Sequence, residues 1–499
     1  MKCNRIPRFF KRTGFKNAQK NCIFLGFDID KAILFSYNIN IIAKFHAKTH
    51  GFTCQERIPD TMGIKVVKFG GSSLADAEHF RRVAAIVKAD PDRRFVVPSA
   101  PGKRFSEDTK VTDMLYRCYE MVRNHEDITE YFKKIAKRYN DIIKDLGLNF
   151  DISGELDYVR DAILHHSGRD FAASRGEYLN SLILAKYLGF DFIDAESVIF
   201  FRENGTFDEE KTNEEMATEL RAHKYAVIPG FYGVMPNGTI KTFSRGGSDI
   251  TGSIVARAAN AELYENWTDV SGFLMTDPRI VKNPAPINTL TYRELRELSY
   301  MGATVLHEDA IFPVRYAGIP INIRNTNAPE DAGTMIVSST TEYDKDRIIT
   351  GIAGKKGFSV ITIEKDMMNA EIGFCRKVLE VLEDNGISFE HMPSGVDTMS
   401  LVLATSTIED RRERLVNAIN RAVRPDNISI EDGLALLAVV GRGMVKAKGT
   451  AARIFDTISR AGINIRMIDQ GSSELNIIVG VEETDLNHAL AAIYDEFVK

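Results

Sequence analysis

Two glycine-rich turns hold the residues of this chain best suited to chemistry. The first, Val66-Val67-Lys68-Phe69-Gly70-Gly71-Ser72-Ser73, carries a strand into a helix start. Paired glycines let backbone N–H groups approach an anion closely, and a helix N-terminus adds partial positive charge. Lys68, at the strand's end, is placed to reach the oxygens of a phosphoryl group in transfer. The second turn, Ser244-Arg245-Gly246-Gly247-Ser248-Asp249, opens another helix. Arg245 offers a bidentate fork to a carboxylate, and Asp249 is suited to orienting Lys68 or holding Mg²⁺. Two such helix starts converging on a polyphosphate would neutralise its charge without a P-loop. Taken singly, each turn also has a plainer reading. The first is a tight strand-to-helix turn with an exposed lysine, and Ser248 and Asp249 are ordinary N-caps. Neither Gly102-Lys103 nor Gly354-Lys355 has the flanking residues of a Walker A motif, and no protein-kinase catalytic loop is present.

These turns need a scaffold, and the hydrophobic pattern supplies one. From Met62 to about Ser339, short apolar strands alternate with amphipathic helices. Strands are expected at Ile64–Phe69, Phe95–Pro98, Ala226–Pro229, Leu263–Trp267 and Ile321–Ile323. Helices are expected at Asp76–Ala89, Lys110–Asn124, Ile128–Leu146, Ala172–Leu188, Ser248–Ala259 and Tyr292–Met301. Such alternation predicts an α/β fold with a mainly parallel sheet and helices on both faces. After Ser339 the pattern changes to strand, helix, Gly-Ile turn and strand, and it occurs twice. The first copy takes in Phe358–Glu364, Glu371–Asn385 and Ile387–Glu390. The second takes in Ala435–Val440, Thr450–Ala461, Ile463–Met467 and Glu474–Val479. Gly386 and Gly462 suit the left-handed residue that ends each helix, so an internal repeat is the natural reading.

Bulk properties bound the function. A chain of 499 residues with 44% apolar and 27% charged residues is an ordinary globular composition, sufficient for two to four domains. The net charge of -5 gives no electrostatic case for nucleic acid. No apolar run is long enough to span a bilayer, so no membrane partner is expected. Five cysteines without framework spacing point to a reducing compartment, and the cytoplasm is the expected location. Residues 1–61 hold three of those cysteines and lack sustained periodicity. They read as an extension that is disordered or not native, with translation beginning at Met62. A genuine extension and a targeting peptide are the alternatives.

Together the motifs resemble the aspartokinases of the amino acid kinase family. Lys68-Phe69-Gly70-Gly71-Ser72-Ser73 matches their signature, and Arg245-Gly246-Gly247-Ser248-Asp249 their second glycine loop. Thr268-Asp269-Val270-Ser271-Gly272, with Thr276-Asp277-Pro278-Arg279, resembles the nucleotide-binding stretch, and Gly302–His307 the segment after it. Asn464–Ile477 is similar to the family's mark in its second ACT domain. The resemblance runs from about Ile64 to the end. It implies an αβα sandwich over 62–340 and ACT regulatory units over 345–427 and 428–499. It further implies ATP-dependent phosphorylation of the L-aspartate side chain, the first step towards lysine, threonine and methionine, with ATP and Mg²⁺ as cofactors. A fused homoserine dehydrogenase is not expected, because the chain ends at Lys499 after the second unit.

The resemblance also implies roles. Lys68 would stabilise the γ-phosphoryl group, with Asp249 ordering the site. Gly70, Gly71, Ser72, Gly246 and Gly247 would cradle phosphates. Ser99, Thr112, Glu177, Arg245 and Ser248 would hold aspartate, Arg245 at its α-carboxylate and Glu177 at its α-ammonium or in the lysine network. Thr268, Asp269 and Arg279 would contact ATP. Glu177 by periodicity reads only as a solvated helix residue. Met368, Gly373, Phe374, Phe389, Glu390 and Ser394 match the effector-pocket region, with lysine the first expected effector and threonine the second. The plainer reading there makes Phe374 and Phe389 core and Glu390 surface. ACT pairing implies a homodimer or higher oligomer. The sequence departs from the family pattern at Thr304, where lysine is common, at Leu274, where an aromatic is common, and in an inserted stretch, Lys103–Lys110. Two alternatives stand beside the main reading: a catalytically weakened amino-acid sensor, and a kinase for glutamate, acetylglutamate or another amino acid.

Overall fold

A computed structural model describes residues 63–498, apart from 245, 304, 307, 341–346 and 446. The N-terminal extension, Arg245 and Thr304 therefore lie outside the described residues. The strand preceding the first glycine turn, β1 (Lys65–Phe69), shows why the sheet is covered on both sides. Successive side chains of a strand point to opposite faces. Val66 accordingly joins one apolar core and Val67 and Phe69 the other. A strand buried on both faces reads as an apolar run, and parallel sheets are built from such strands.

The further strands of the catalytic part are β2 (Arg93–Pro98), β3 (Asp191–Phe192), β4 (Ala226–Val227), β5 (Tyr232–Val234), β6 (Ile240–Thr242), β7 (Leu263–Thr268), β8 (Thr289–Thr291), β9 (Ile321–Asn325) and β10 (Thr334–Val337). Eight of them form one sheet in the order β3-β4-β2-β1-β7-β9-β10-β8, with β5 and β6 as a separate hairpin. Every pairing in the large sheet is parallel except β9 with β10. One face carries helices α1 (Ala77–Lys88), α2 (Val111–Arg123), α3 (Thr129–Leu146), α4 (Ser153–Leu164) and α5 (Arg169–Leu188). The other carries α6 (Glu209–Ala222), α7 (Gly247–Ala258) and α8 (Tyr292–Tyr300). The expected α/β sandwich is present.

The repeat after Ser339 forms a single five-stranded antiparallel sheet, ordered β12-β11-β13-β15-β14. Its strands are β11 (Gly351–Glu364), β12 (Thr398–Ala404), β13 (Asn427–Val440), β14 (Met467–Asp469) and β15 (Asn476–Glu482). β11 and β13 each have 14 residues and run through both copies. Gly351–Lys355 pairs with Leu436–Val440 beside β15, whereas Phe358–Glu364 pairs with Asn427–Leu434 beside β12. Between the two halves the register shifts, with Gly357 and Gly433 at positive φ of 92° and 77°. An extra residue in a strand increases local twist, and glycine accepts that backbone without a Cβ clash. The 427/428 division expected between the copies falls at the start of β13, which then crosses into the second.

The first regulatory half packs α9 (Phe374–Asp384) and α10 (Arg412–Val423) in a core of its own. The second packs α11 (Thr450–Arg460) and α12 (Leu486–Val498), and its core is continuous with that of the catalytic part. Two short expected strands are reduced. Ile387–Glu390 touches β12 only at its end, where Glu390 N donates to Val402 O at 2.8 Å beside the His391–Val402 bridge, and Ile463–Met467 contributes only the start of β14. Neither segment has a partner strand along its length; Ile387 and Ile463 are held by core packing instead.

Candidate active site

In an open parallel sheet, ligands collect outside the carboxyl ends of the strands. The segments following β1, β2 and β7 converge there around a cavity of about 590 Å³. Gly70, Gly71 and Ser72 come from the first, Ser99 to Ser106 from the second, and Thr268 and Asp269 from the third. Thr112 of α2 and Glu177 of α5 complete this wall. Backbone bonds lock the segments together: Ser99 N donates to Phe69 O at 3.0 Å, Gly70 N to Trp267 O at 3.0 Å, and Gly102 N to Gly71 O at 2.8 Å. Glycine is required at this last contact, since a Cβ on Gly71 would stand 2.7 Å from Ala100 O.

Lys68 is only 7% exposed and does not itself line the cavity, but its Nζ lies 3.7 Å from where a Cβ on the lining residue Gly70 would stand. Its register partner on β7 is Asn266, and its Nζ lies 2.6 Å from an Oδ1 of Asp249. Asn266 Nδ2 donates to the same oxygen at 2.8 Å. Asp249 sits in the first turn of α7, which begins after the left-handed Gly246. A Cβ on Gly247 would strike the Phe231 ring at 2.4 Å, so this turn too needs its glycine for close packing. Both glycine turns thus deliver their charged residues to one ion pair.

Glu177 is buried, and its Oε2 has no hydrogen-bond partner. Burial pushes its pKa up to about 8, against the smaller opposing pull of backbone N–H groups at Ala100 and Glu177 and of Arg175. The residue before it, Gly176, lets α5 approach the loop after β2, because a Cβ there would meet Ala100 Cβ at 2.8 Å. Asn180, one turn on, donates to Ser99 O at 2.7 Å. An orphaned carboxylate oxygen beside a polar cavity is a receptor for a cationic group of a ligand.

Of the expected site residues, Gly70, Gly71, Ser72, Ser99, Thr112, Glu177, Thr268 and Asp269 line the cavity, whereas Lys68, Gly246, Gly247, Ser248 and Asp249 lie outside its lining. Ser248 is buried in the first turn of α7, against Gly230. Arg279 stands apart: its side chain is 87% exposed and paired with Asp277, and it does not line the cavity. Leu274 pairs with Pro286 in an isolated bridge. Sequence reasoning did not select Asn266, although a polar residue inside the buried run of β7 is a usable signal. It also passed over Lys103, Arg104 and Lys110, which all line the cavity from the inserted stretch.

The expected effector residues divide. Phe374 and Met368 belong to the core of the first regulatory half, and Gly373 is the left-handed residue that opens α9. Phe389 is 43% exposed, so it is not core. Glu390 accepts a hydrogen bond from Tyr300 Oη at the end of α8, joining this region to the catalytic part. Ser394 bridges to Met399.

Comparison with known proteins places this geometry. The amino acid kinase family model matches residues 63–325, and an ACT domain model matches 437–497. Aspartokinase 3 of Bacillus subtilis is 40% identical over 453 residues, covering 87% of this chain and 98% of that protein. The chain belongs to the aspartokinases. Membership carries the family reaction, ATP-dependent phosphorylation of aspartate, with allosteric control through the regulatory part. Among solved structures, the aspartate kinase of Clostridium acetobutylicum is 53% identical with a TM-score of 0.80, covering 87% of this chain and all of that one. E. coli aspartokinase III in complex with aspartate and ADP is 25% identical with a TM-score of 0.69, over 87% of this chain and all of that one.

Proposed function

We propose that the cavity holds the aspartate side chain and the ATP γ-phosphate end to end, with Lys68 stabilising the phosphoryl group in transfer. The carrying observation is that one cavity unites the first glycine turn, Glu177 with its unpartnered oxygen, and the ends of three parallel strands. A side-chain carboxylate is already ionised at neutral pH, so its attack needs no general base. The task is to bring two anions together and spread their charge. Lys68 does this at the phosphoryl oxygens while Asp249 and Asn266 hold its ammonium in place. Glu177 receives the α-ammonium of aspartate, and Ser99 and Thr112 flank it. Arg245 and Ser248 take the α-carboxylate side, and Thr268 and Asp269 the nucleotide. The product is 4-phospho-L-aspartate, an acyl phosphate, on the route to lysine, threonine and methionine.

Mg²⁺ enters as part of the Mg-ATP substrate. Among the described residues no cluster of three His, Cys, Asp or Glu side chains is positioned to hold an ion. Asp249 is engaged by Lys68 and Asn266. The catalytic unit is taken as 62–340 and the regulatory units as 345–427 and 428–499, with β11 and β13 shared between the last two. The effector is an amino acid, lysine first: E. coli aspartokinase III has been solved with lysine and aspartate, and Glu390 supplies a carboxylate. The exposed apolar side chains of Met367, Ile372 and Val396 around the first regulatory half support a homo-oligomer. The free thiols of Cys118 and Cys375 fit a cytoplasmic location. No helix among the described residues is long and apolar enough to cross a membrane.

The test is turnover of Mg-ATP with aspartate, glutamate and acetylglutamate as acceptors, with and without lysine and threonine. Turnover with aspartate alone is expected, inhibited by lysine. Absence of turnover with aspartate would leave an amino-acid sensor, and preference for another acceptor would reassign the cavity.

A further inference from the structure

The inserted stretch Lys103–Lys110 brings three cations, Lys103, Arg104 and Lys110, to the wall of the active-site cavity. Their charges are not equally available. Arg104 forms a fork with Asp108, Nε to Oδ2 at 2.8 Å and Nη2 to Oδ1 at 3.0 Å. Lys103 Nζ is tied back to Ser106 O within the loop at 3.1 Å, a bond that orients its ammonium without neutralising it. Lys110 has no carboxylate beside it among the described residues, and it stands at the N-cap of α2, two residues before Thr112. The cavity must receive two anionic groups, and Lys68 is already paired with Asp249. An unpaired ammonium on the same wall is the charge the reaction lacks.

The loop is also fastened from beneath. Arg138 of α3, 5% exposed, uses its guanidinium on three segments of the site. Nε donates to Ala75 O behind the first glycine turn at 3.2 Å, and Nη2 to Gly102 O at 2.6 Å. Nη1 donates to Asp108 Oδ2 at 2.7 Å. Arg138 does not itself line the cavity. A rigid planar fork that bonds three loops at once fixes their spacing, which a flexible lysine would not do.

We propose that the Lys103–Lys110 loop is a substrate-binding element in which Lys110 contacts an oxyanion of the bound substrates, and that Asp108, anchored by Arg138, is the positioning residue that holds the loop in place. The proposal rests on the assignment of the cavity as the phosphoryl-transfer site. The oxyanion belongs either to the ATP phosphates or to an aspartate carboxylate, which present the same chemistry to an ammonium.

The experiment is steady-state kinetics of the full chain, both substrates varied, on Lys110→Met, Asp108→Asn and the double variant. Lys110→Met is expected to lower kcat/KM for one substrate by about tenfold or more, as the loss of a charged hydrogen bond implies. A raised KM for ATP assigns the phosphates, and a raised KM for aspartate assigns the carboxylate. Asp108→Asn is expected to raise the same KM, and the double variant to cost no more than Lys110→Met alone, because the two act through one contact. Unchanged KM and kcat in Lys110→Met would overturn the contact. Fully additive losses would overturn the positioning role, since a merely structural Asp108 would act independently. Lys68→Ala, run alongside, separates the failures. If it is inactive while Lys110→Met is normal, only this proposal falls, whereas activity in Lys68→Ala removes the cavity assignment itself.

Discussion

Lys68 Nζ and Asp249 Oδ1 lie 2.6 Å apart although 181 residues separate them in the chain, and Asn266 binds the same carboxylate oxygen. The pair joins the two glycine turns at the end of the central strand. Lys68→Ala should lower kcat by roughly 10²–10³-fold, the scale of losing one transition-state charge donor. Its thermal midpoint should stay close to the parent's, because Asn266 still satisfies Asp249. Near-normal turnover would contradict the assignment.

Glu177 gives the reaction a pH signature. Its pKa is pushed up to about 8, so the free enzyme holds this proton at neutral pH. An ammonium arriving beside it favours the ionised form. Aspartate should therefore bind more tightly as pH rises towards 8, with a proton released on binding below that pH. Glu177→Gln should remove this dependence, as read by calorimetry in buffers of different ionisation enthalpy. The stability effect has the opposite sense. Between the ordinary glutamate pKa and about 8, the folded chain binds more protons at this site than the unfolded chain. This site's contribution to stability thus falls as pH rises through that window.

Gly71 and Gly154 form a matched contrast. A Cβ at Gly71 would press on Ala100 O and Gly102 N, both backbone, at 2.7 and 3.3 Å. Gly71→Ala should push the loops after β1 and β2 apart, with activity lost before the fold. In α4 a Cβ at Gly154 meets nothing. Gly154→Ala should be neutral or stabilising by up to about 1 kcal/mol. Urea unfolding and kcat measured on both variants check the pair.

Glu294 is fully buried and links the two halves of the molecule. It caps α8 through Thr291, accepts a bond from Thr350 Oγ1 at 2.6 Å, and is paired with Arg442 Nη1 at 2.7 Å. Burial raises its pKa, but the bonds from Thr350, Thr291 and Arg442, with the Arg442 charge, outweigh this and hold it below the ordinary value. Its stabilisation is therefore present above that value and is lost as pH falls through the depressed one. Arg442→Ala should destabilise by about 3–5 kcal/mol, the cost of leaving a buried charge unpaired. A midpoint unchanged in thermal unfolding would show the charge to be satisfied by its other partners.

The legibility of these features in the sequence follows from locality. β1 and the Phe95–Pro98 part of β2 were readable because a doubly covered parallel strand is an apolar run, whereas β7 showed only as apolar residues flanking Glu265 and Asn266. Both glycine turns were readable because the residues act beside their own backbone. Glu177 was not readable by periodicity, since α5 is buried almost all round and shows no polar stripe to contrast with it. The resemblance to a family, not a physical pattern, singled it out. Asn266 and Arg138 act only across long sequence separations. The sharing of β11 and β13 was hidden for the same reason, since each copy of the repeat reads locally as complete.

That sharing limits how the regulatory third can be dissected. A fragment ending at 427 would keep β11 and β12 but lose β13, which lies against β11 along both halves. A fragment beginning at 428 would keep most of β13 and lose the Gly351–Lys355 edge beside it. Neither contiguous piece holds all the strands of one lobe. The pair must then be inherited, expressed and unfolded as a single indivisible module, even though its ancestry reads as a duplication.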